Sequence, residues 1–198
     1  MASALLSSIL DTKTNSHHRF IRDLDVLDKT VARLKKKGKK IVLTQGVWDL
    51  LHEGHAKYLE AAKAYGDVLV VGLDSDALTR FRKGPNRPIV PERERVEMLT
   101  HLRHVDIVAI RDVDHDIGHL VRLVKPDVLV TSTSTADFQE DLKAGTYRDF
   151  CKKIVTLPPQ ATTHTSARVR NLTIEGVEKL ADEVAKLTQD FIKRIRTV

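Results

Sequence analysis

Ile41-Val42-Leu43-Thr44-Gln45-Gly46-Val47-Trp48-Asp49-Leu50-Leu51-His52-Glu53-Gly54-His55 is the stretch that decides how this chain folds. It opens with a short apolar run, the pattern of a strand buried on both faces. A polar, glycine-containing loop follows. From 54 to 65 the apolar and small residues His55, Tyr58, Leu59 and Ala62 recur at helical steps, and Gly66 closes the segment. Strand, loop and helix are thus written within some 25 residues. The same grammar repeats downstream.

Further buried strands are expected at Val68-Leu69-Val70-Val71, Ile107-Val108-Ala109-Ile110, Val128-Leu129-Val130 and Ile154-Val155. Helical segments separate them, at Asp76–Phe81, from Pro91 onward and over 115–124. Pro91 with Glu92, Glu94 and Glu97 is a helix-start pattern. The segment Lys83-Gly84-Pro85-Asn86-Arg87-Pro88 is a breaker-rich loop. Alternation of this kind implies a Rossmann-like, doubly wound α/β fold: a parallel five-stranded sheet with helices on both faces. In such sheets ligands bind at the carboxyl ends of the strands, at the point where strand order reverses. Chemistry is therefore expected in the loops after the first, second and last strands.

Two helices flank this core. Phe20, Ile21, Leu24, Leu27, Val31 and Leu34 fall at helical steps over 19–37, and Gly38 ends that helix. Ile174, Val177, Leu180, Val184, Leu187, Phe191 and Ile195 do so over 172–196. The expected organisation is an arm and helix over 1–37, a catalytic domain over 38–172 and a terminal helix over 173–198. That last helix packs on the domain or on a dimer partner.

The chain has 198 residues, 41% hydrophobic and 30% charged, with a net charge of +6. These values fit a globular protein with anionic partners: nucleic acid, a membrane surface or phosphorylated metabolites. Part of the excess is the run Lys35-Lys36-Lys37-Gly38-Lys39-Lys40, which suits a helix C-terminus. One cysteine, Cys151, forms no internal disulfide, and no cysteine cluster is present for zinc. Met1–Leu10 lacks a basic leader region, and no segment has the length of a membrane span. A cytoplasmic protein is expected.

The loop's chemistry lies in His52 and His55, which flank Gly54 at the start of a helix. Free N–H groups and the positive dipole end suit phosphate there. Imidazoles can donate hydrogen bonds as negative charge develops on phosphorus, and Gly54 allows close approach of the backbone. The competing readings are a zinc site and two ordinary surface histidines. A zincin needs H-E-x-x-H and a third ligand, and neither stands out.

Gly46–His55 resembles the signature of the cytidylyltransferase-like nucleotidyltransferase superfamily. The resemblance extends over residues 24–172. It is carried by Tyr58–Lys63, by Gly66–Asp76, by Lys83–Pro91, and by Arg95 with Val105-Asp106. It is closest to the heptose 1-phosphate adenylyltransferases, with the glycerol-3-phosphate cytidylyltransferases as cousins. The resemblance implies transfer of a nucleoside monophosphate from an NTP, ATP favoured, to a sugar or polyol phosphate, with release of pyrophosphate. It implies Mg²⁺ as cofactor, no protein-held metal centre and a homodimer.

Residue by residue, it gives His52 and His55 the α- and β-phosphates and the transition state. Val47 and Trp48 would offer backbone contacts to phosphate. Asp49 would orient the loop or a Mg²⁺ hydration shell. Gly54 and Asp76 would complete the nucleotide site. Lys83 would neutralise phosphate charge, and Arg95 would clamp phosphate. Thr163, Thr165 and Ser166 would supply hydroxyls at a helix start, with His164 and Thr163 departing from the I-S-T-T pattern.

Two further departures fall where acceptor and base are read. Thr131–Phe138 replaces a Gly-Asp-Asp type segment, and Pro158-Pro159-Gln160 stands where the cytidylyltransferase branch has an arginine. The alternative is therefore a CTP-dependent enzyme acting on glycerol 3-phosphate, another alcohol phosphate or a phosphonate. A more remote one is a non-catalytic nucleotide or nucleic-acid binder. The basic run carries no interleaved aromatics for base stacking, which weighs against nucleic acid.

Overall fold

The computed structural model describes residues 16–133, 145–161 and 165–196. Strands β1 (Ile41–Gly46), β2 (Val68–Asp74), β3 (Ile107–Arg111), β4 (Val128–Ser132) and β5 (Lys153–Leu157) form one sheet in the order β3-β2-β1-β4-β5. All neighbours are parallel. This is the doubly wound, Rossmann-like sheet that the sequence implies. Strand order reverses between β1 and β4, so the crevice at their carboxyl ends is the switch point.

Alternate strand residues feed two cores. On one face Ile41, Leu43, Val68, Val70, Ile107, Ala109 and Leu129 meet α1 (Leu24–Lys36) and α5 (His119–Val124). On the other, Val42, Leu69, Val71, Leu73, Val108, Ile110, Val128 and Val130 meet α2 (Glu53–Lys63) and α4 (Glu92–Thr100). The period-two split explains why the strands read as unbroken apolar runs: both faces are covered. Between β2 and α4, α3 (Asp76–Lys83) starts with Ser75 as its cap, the hydroxyl accepting from Leu78 N–H.

Helix boundaries differ from expectation where side chains compete for the backbone. The helix expected over 19–37 is instead a 3-10 turn, Ser16–Arg19, an extended piece, and then α1. Phe20 bridges to Val108, and Ile21 N–H donates to Val108 O at 2.9 Å. Asp23 delays the helix by taking Asp25 N–H and Val26 N–H on its carboxylate at 2.8 and 3.2 Å. The helix expected from 115 likewise begins at His119. Asp116 Oδ1 takes Gly118 N–H and His115 Nδ1 takes Asp112 N–H.

The basic run at the end of α1 has a structural part. Lys35 Nζ donates to Val124 O and Lys125 O at 2.8 and 2.5 Å, capping the end of α5. Gly38, at φ +73°, completes the turn, with Lys39 N–H donating to Leu34 O.

The chain divides into two compact units, Met1–Ala161 and Thr162–Val198. Leu27, Val31 and Leu34 of α1 belong to the sheet's core, and the last helix, α6 (Thr165–Arg196), starts seven residues earlier than its apolar spacing suggests. Along α6, Val177, Leu180, Val184 and Leu187 are 54–69% exposed. Among the described residues, no helix is long and apolar enough to cross a membrane.

Candidate active site

The loop from β1 to α2 carries the site. Trp48 and Leu50 hold φ of +56° and +47°, a left-handed conformation that side chains rarely adopt and that persists only where surroundings enforce it. Trp48 is so enforced. Its ring is buried in the second core, its Nε1–H donates to Gly72 O at 3.0 Å, and it packs on Tyr58 and on His55. Tyr58 is fixed in turn by Thr44, hydroxyl to hydroxyl at 2.9 Å. Its burial pushes the phenol up to about 12, so it stays a neutral prop.

His52 is the cap of α2, its Nδ1 accepting from Gly54 N–H at 3.1 Å. An accepting Nδ1 places the ring proton of the neutral imidazole on Nε2. The rings of His52 and His55 lie with centroids 4.1 Å apart, inclined by 32°. Gly54 makes room for them. A Cβ there would sit 2.9 Å from His52 Cε1 and 2.9 Å from Ala161 Cβ.

Asp49 is buried, and its carboxylate faces the loop before α4. It accepts Ile89 N–H at 3.0 Å and Val90 N–H at 2.9 Å and pairs with Arg87 at 3.2 Å. These contacts join the signature loop to the loop before α4. Arg95 is 1% exposed. It donates through Nε to Val90 O, through Nη1 to Val47 O and Asp74 O, and through Nη2 to Asp76 Oδ1. Four of its five N–H groups are thereby committed to protein. Arg95 thereby ties the signature loop to β2, α3 and the loop before α4. Val47 presents its carbonyl to this tie, and Asp76 is its anionic end.

Lys83 stands at the end of α3, next to Arg82 and near Arg87. Its pKa is lowered from the ordinary lysine value, first by desolvation and then by those two cations. Of the expected hydroxyl trio, Thr163 lies outside the described residues. Thr165 and Ser166 form the start of α6.

The structure adds residues that the sequence did not single out. Asp74, fully buried at the end of β2, accepts Nε and Nη2 of Arg111 on Oδ1 at 3.0 and 2.6 Å. Its Oδ2 accepts Arg82 Nη1 at 2.7 Å. Gln45, at the end of β1, donates through Nε2 to Ile117 O at 2.6 Å. Charged residues closing the apolar runs of β2 and β3 were the available signal, since that is where parallel sheets place ligands.

The paired imidazoles thus stand on the loop after β1, at the carboxyl end of a parallel sheet and next to its switch point. The chain belongs to the cytidylyltransferase-like family, whose model matches residues 43–172. Among curated relatives, the bifunctional protein HldE of Aliarcobacter butzleri is 37% identical over 165 residues, 83% of this chain and 33% of that protein. HldE of Geobacter metallireducens is 50% identical over 110 residues, 56% of this chain and 22% of that one. The chain thus spans a third or less of these relatives' length. Among solved structures, the lipopolysaccharide core biosynthesis protein of Thermoplasma volcanium is 30% identical with a TM-score of 0.51, over 62% of this chain and 98% of that one. The pantoate-beta-alanine ligase of Francisella tularensis shares the fold at 18% identity and a TM-score of 0.53, over 77% of this chain and 72% of that one.

Proposed function

We propose that this chain transfers the nucleoside monophosphate unit of ATP to a sugar phosphate, an aldose 1-phosphate being the favoured acceptor. An acceptor phosphate oxygen forms a bond to the α-phosphorus. The bond from that phosphorus to the bridging oxygen breaks, and its electron pair leaves with pyrophosphate. The acceptor is already ionised at neutral pH, so no general base is needed. The barrier is the approach of anions, and catalysis consists of positioning and electrostatic stabilisation.

The observation that carries this reading is the His52–His55 pair, rings 4.1 Å apart, with His52 Nδ1 engaged by Gly54 N–H. Nε2–H of His52 then donates to a phosphate oxygen, and His55 stands beside it for the next. Lys83 supplies charge from α3. Asp49 and Arg95 act as positioning residues, through the loop at 87–90 and the Val47 carbonyl. Thr165 and Ser166 stand at a helix start, as a phosphate-binding role requires.

Mg²⁺ fits as the partner of the triphosphate, neutralising its charge while phosphate oxygens hold it. Nucleoside triphosphates and sugar phosphates are cytoplasmic metabolites, and the proposed activity belongs with them. The exposed stripe of α6 supports a homodimer.

The test is pyrophosphate release with ATP and with CTP against a panel of aldose 1-phosphates, glycerol 3-phosphate and a phosphonate. ATP with an aldose 1-phosphate is expected to turn over. His52→Ala and His55→Ala are expected to lower kcat by about 10²–10³ with circular dichroism unchanged. His52→Asn separates the ring's two tasks, since asparagine keeps a capping oxygen and loses the imidazole donor. It is expected to melt like wild type and to be as inactive as the alanine variant. Preference for CTP with an alcohol phosphate would move the assignment to the cytidylyltransferase branch. Wild-type turnover in either alanine variant would refute the role given to that histidine.

A further inference from the structure

At the switch point lies a recess walled by Gln45, Arg82, Arg111, Ile117, Thr131 and Ser132. Its lining comes from the ends of β1, β3 and β4 and the last turn of α3, beside the loop that carries His52 and His55. Two polar groups in its wall are held in an unusual state. Arg111 is 2% exposed. Its Nε and Nη2 both lie on Asp74 Oδ1, which locks the guanidinium plane and turns the Nη1 edge away from its carboxylate. Nη1 has no acceptor among the described residues. Gln45 Oε1 is buried without a donor among the described residues, while its Nε2 is engaged by Ile117 O.

A buried carbonyl oxygen costs free energy when unmet, and Gln45 Oε1 is such a group; the Nη1 edge of Arg111 is the part of that guanidinium not spent on Asp74. They also ask for opposite things. Nη1–H of Arg111 suits an anionic oxygen, with the planar geometry that guanidinium offers phosphate and carboxylate. Gln45 Oε1 needs a donor, which a sugar hydroxyl supplies. A ligand carrying an anionic oxygen and a hydroxyl a few bonds apart meets both at once. Inorganic phosphate meets one.

We propose that this recess is the acceptor subsite, with Arg111 reading an anionic oxygen of the sugar phosphate and Gln45 reading one of its hydroxyls. The inference rests on the nucleotidyl-transfer reading and names the acceptor's half of that site. Asp74 is the positioning residue that holds Arg111 in register, and Arg82 braces the same carboxylate. The buried charge at the ends of β2 and β3 thereby acquires a reason: a preset guanidinium edge loses little side-chain freedom when a ligand binds.

The test is calorimetric binding to the full chain, held with a non-hydrolysable ATP analogue. The probes are mannose 1-phosphate, heptose 1-phosphate, mannose and inorganic phosphate. Wild type is expected to bind an aldose 1-phosphate at least tenfold more tightly than mannose or phosphate. Gln45→Leu is expected to lose that advantage over phosphate while binding phosphate itself normally. Arg111→Lys is expected to weaken both anions about tenfold. Both variants are expected to bind the ATP analogue within twofold of wild type. Should Arg111→Lys fail to fold, Gln45→Leu decides alone. A parallel loss of ATP-analogue affinity would assign the recess to the nucleotide and overturn the proposal. Equal binding of phosphate and sugar phosphate by wild type would overturn it too. Pyrophosphate release is read separately: turnover without any effect of these variants leaves the enzyme reading standing and removes the subsite.

Discussion

Lys83 is a side chain whose charge the fold disfavours. Desolvation disfavours its charge, and Arg87 and Arg82 disfavour it further, while Asp74 and Asp49 restore part of the loss. The folded pKa therefore lies below the ordinary value of 10.5. The sign follows from linkage. Between the folded pKa and 10.5 the unfolded chain binds more protons, so stability rises with pH across that window. Below the window Lys83 is charged in both states, and its cost is present in full. A triphosphate placed beside Lys83 favours the cation and raises its pKa. Binding of the ATP analogue near the top of the window is then expected to take up a proton, and to weaken as pH rises through it. Calorimetry in buffers of different ionisation enthalpy measures that uptake. Lys83→Met is expected to abolish the uptake and to flatten the rise in stability. Persistence of the uptake in this variant would remove Lys83 from the phosphate site. His52 makes a related point at the same scale, since the bond that caps α2 also selects the tautomer of its ring.

At the level of elements, the signature loop and the loop before α4 are two irregular segments sewn together by Asp49 and Arg95. Asp49→Asn tests the seam. An amide presents one oxygen where the carboxylate presents two, so either Ile89 N–H or Val90 N–H meets an NH₂ group. Leaving one buried donor unmet costs about 1–3 kcal/mol, which a thermal melt resolves. KM for ATP is expected to rise several-fold, with segment 84–90 cut faster by protease. A variant with wild-type melting and KM would show that the seam carries no strain of consequence. This seam also marks what sequence alone disclosed. The five strands and the histidine pair were legible because apolar runs and a signature loop are local patterns. The tie made by Arg95 was not legible, because its partners include carbonyls of Val47, Val90 and Asp74, and carbonyls leave no trace in residue identity. The late starts of α1 and α5 escaped for a similar reason: Asp23 and Asp116 act by side-chain to backbone bonds that no apolar spacing records. Asp74 with Arg111 escaped because their pairing joins residues 37 apart.

For the molecule as a whole, the open question is posed by α6. Val177 and Val184 occupy one position of a heptad and Leu180 and Leu187 another, at the three-four spacing of a coiled-coil seam. β-Branched residues at the first position with leucine at the second favour two parallel strands. All four are more than half exposed, and a stripe of this kind on a globular protein marks an interaction surface. Burying one such side chain is worth about 1.5–3 kcal/mol. Eight of them across a two-fold axis outweigh the lower estimates of the association cost, about 4 kcal/mol. Sedimentation velocity is therefore expected to show a dimer that dissociates on dilution. Leu180→Glu with Leu187→Glu is expected to give a 22.3 kDa monomer, because two acids placed on the seam meet their own copies. The sheet unit folds around its own two cores, so the melting of its near-ultraviolet signal, reporting on Trp48, is expected to be unchanged. A wild-type chain that sediments as a monomer at every concentration would deny the seam its second copy. A double variant that stays dimeric would place the interface elsewhere.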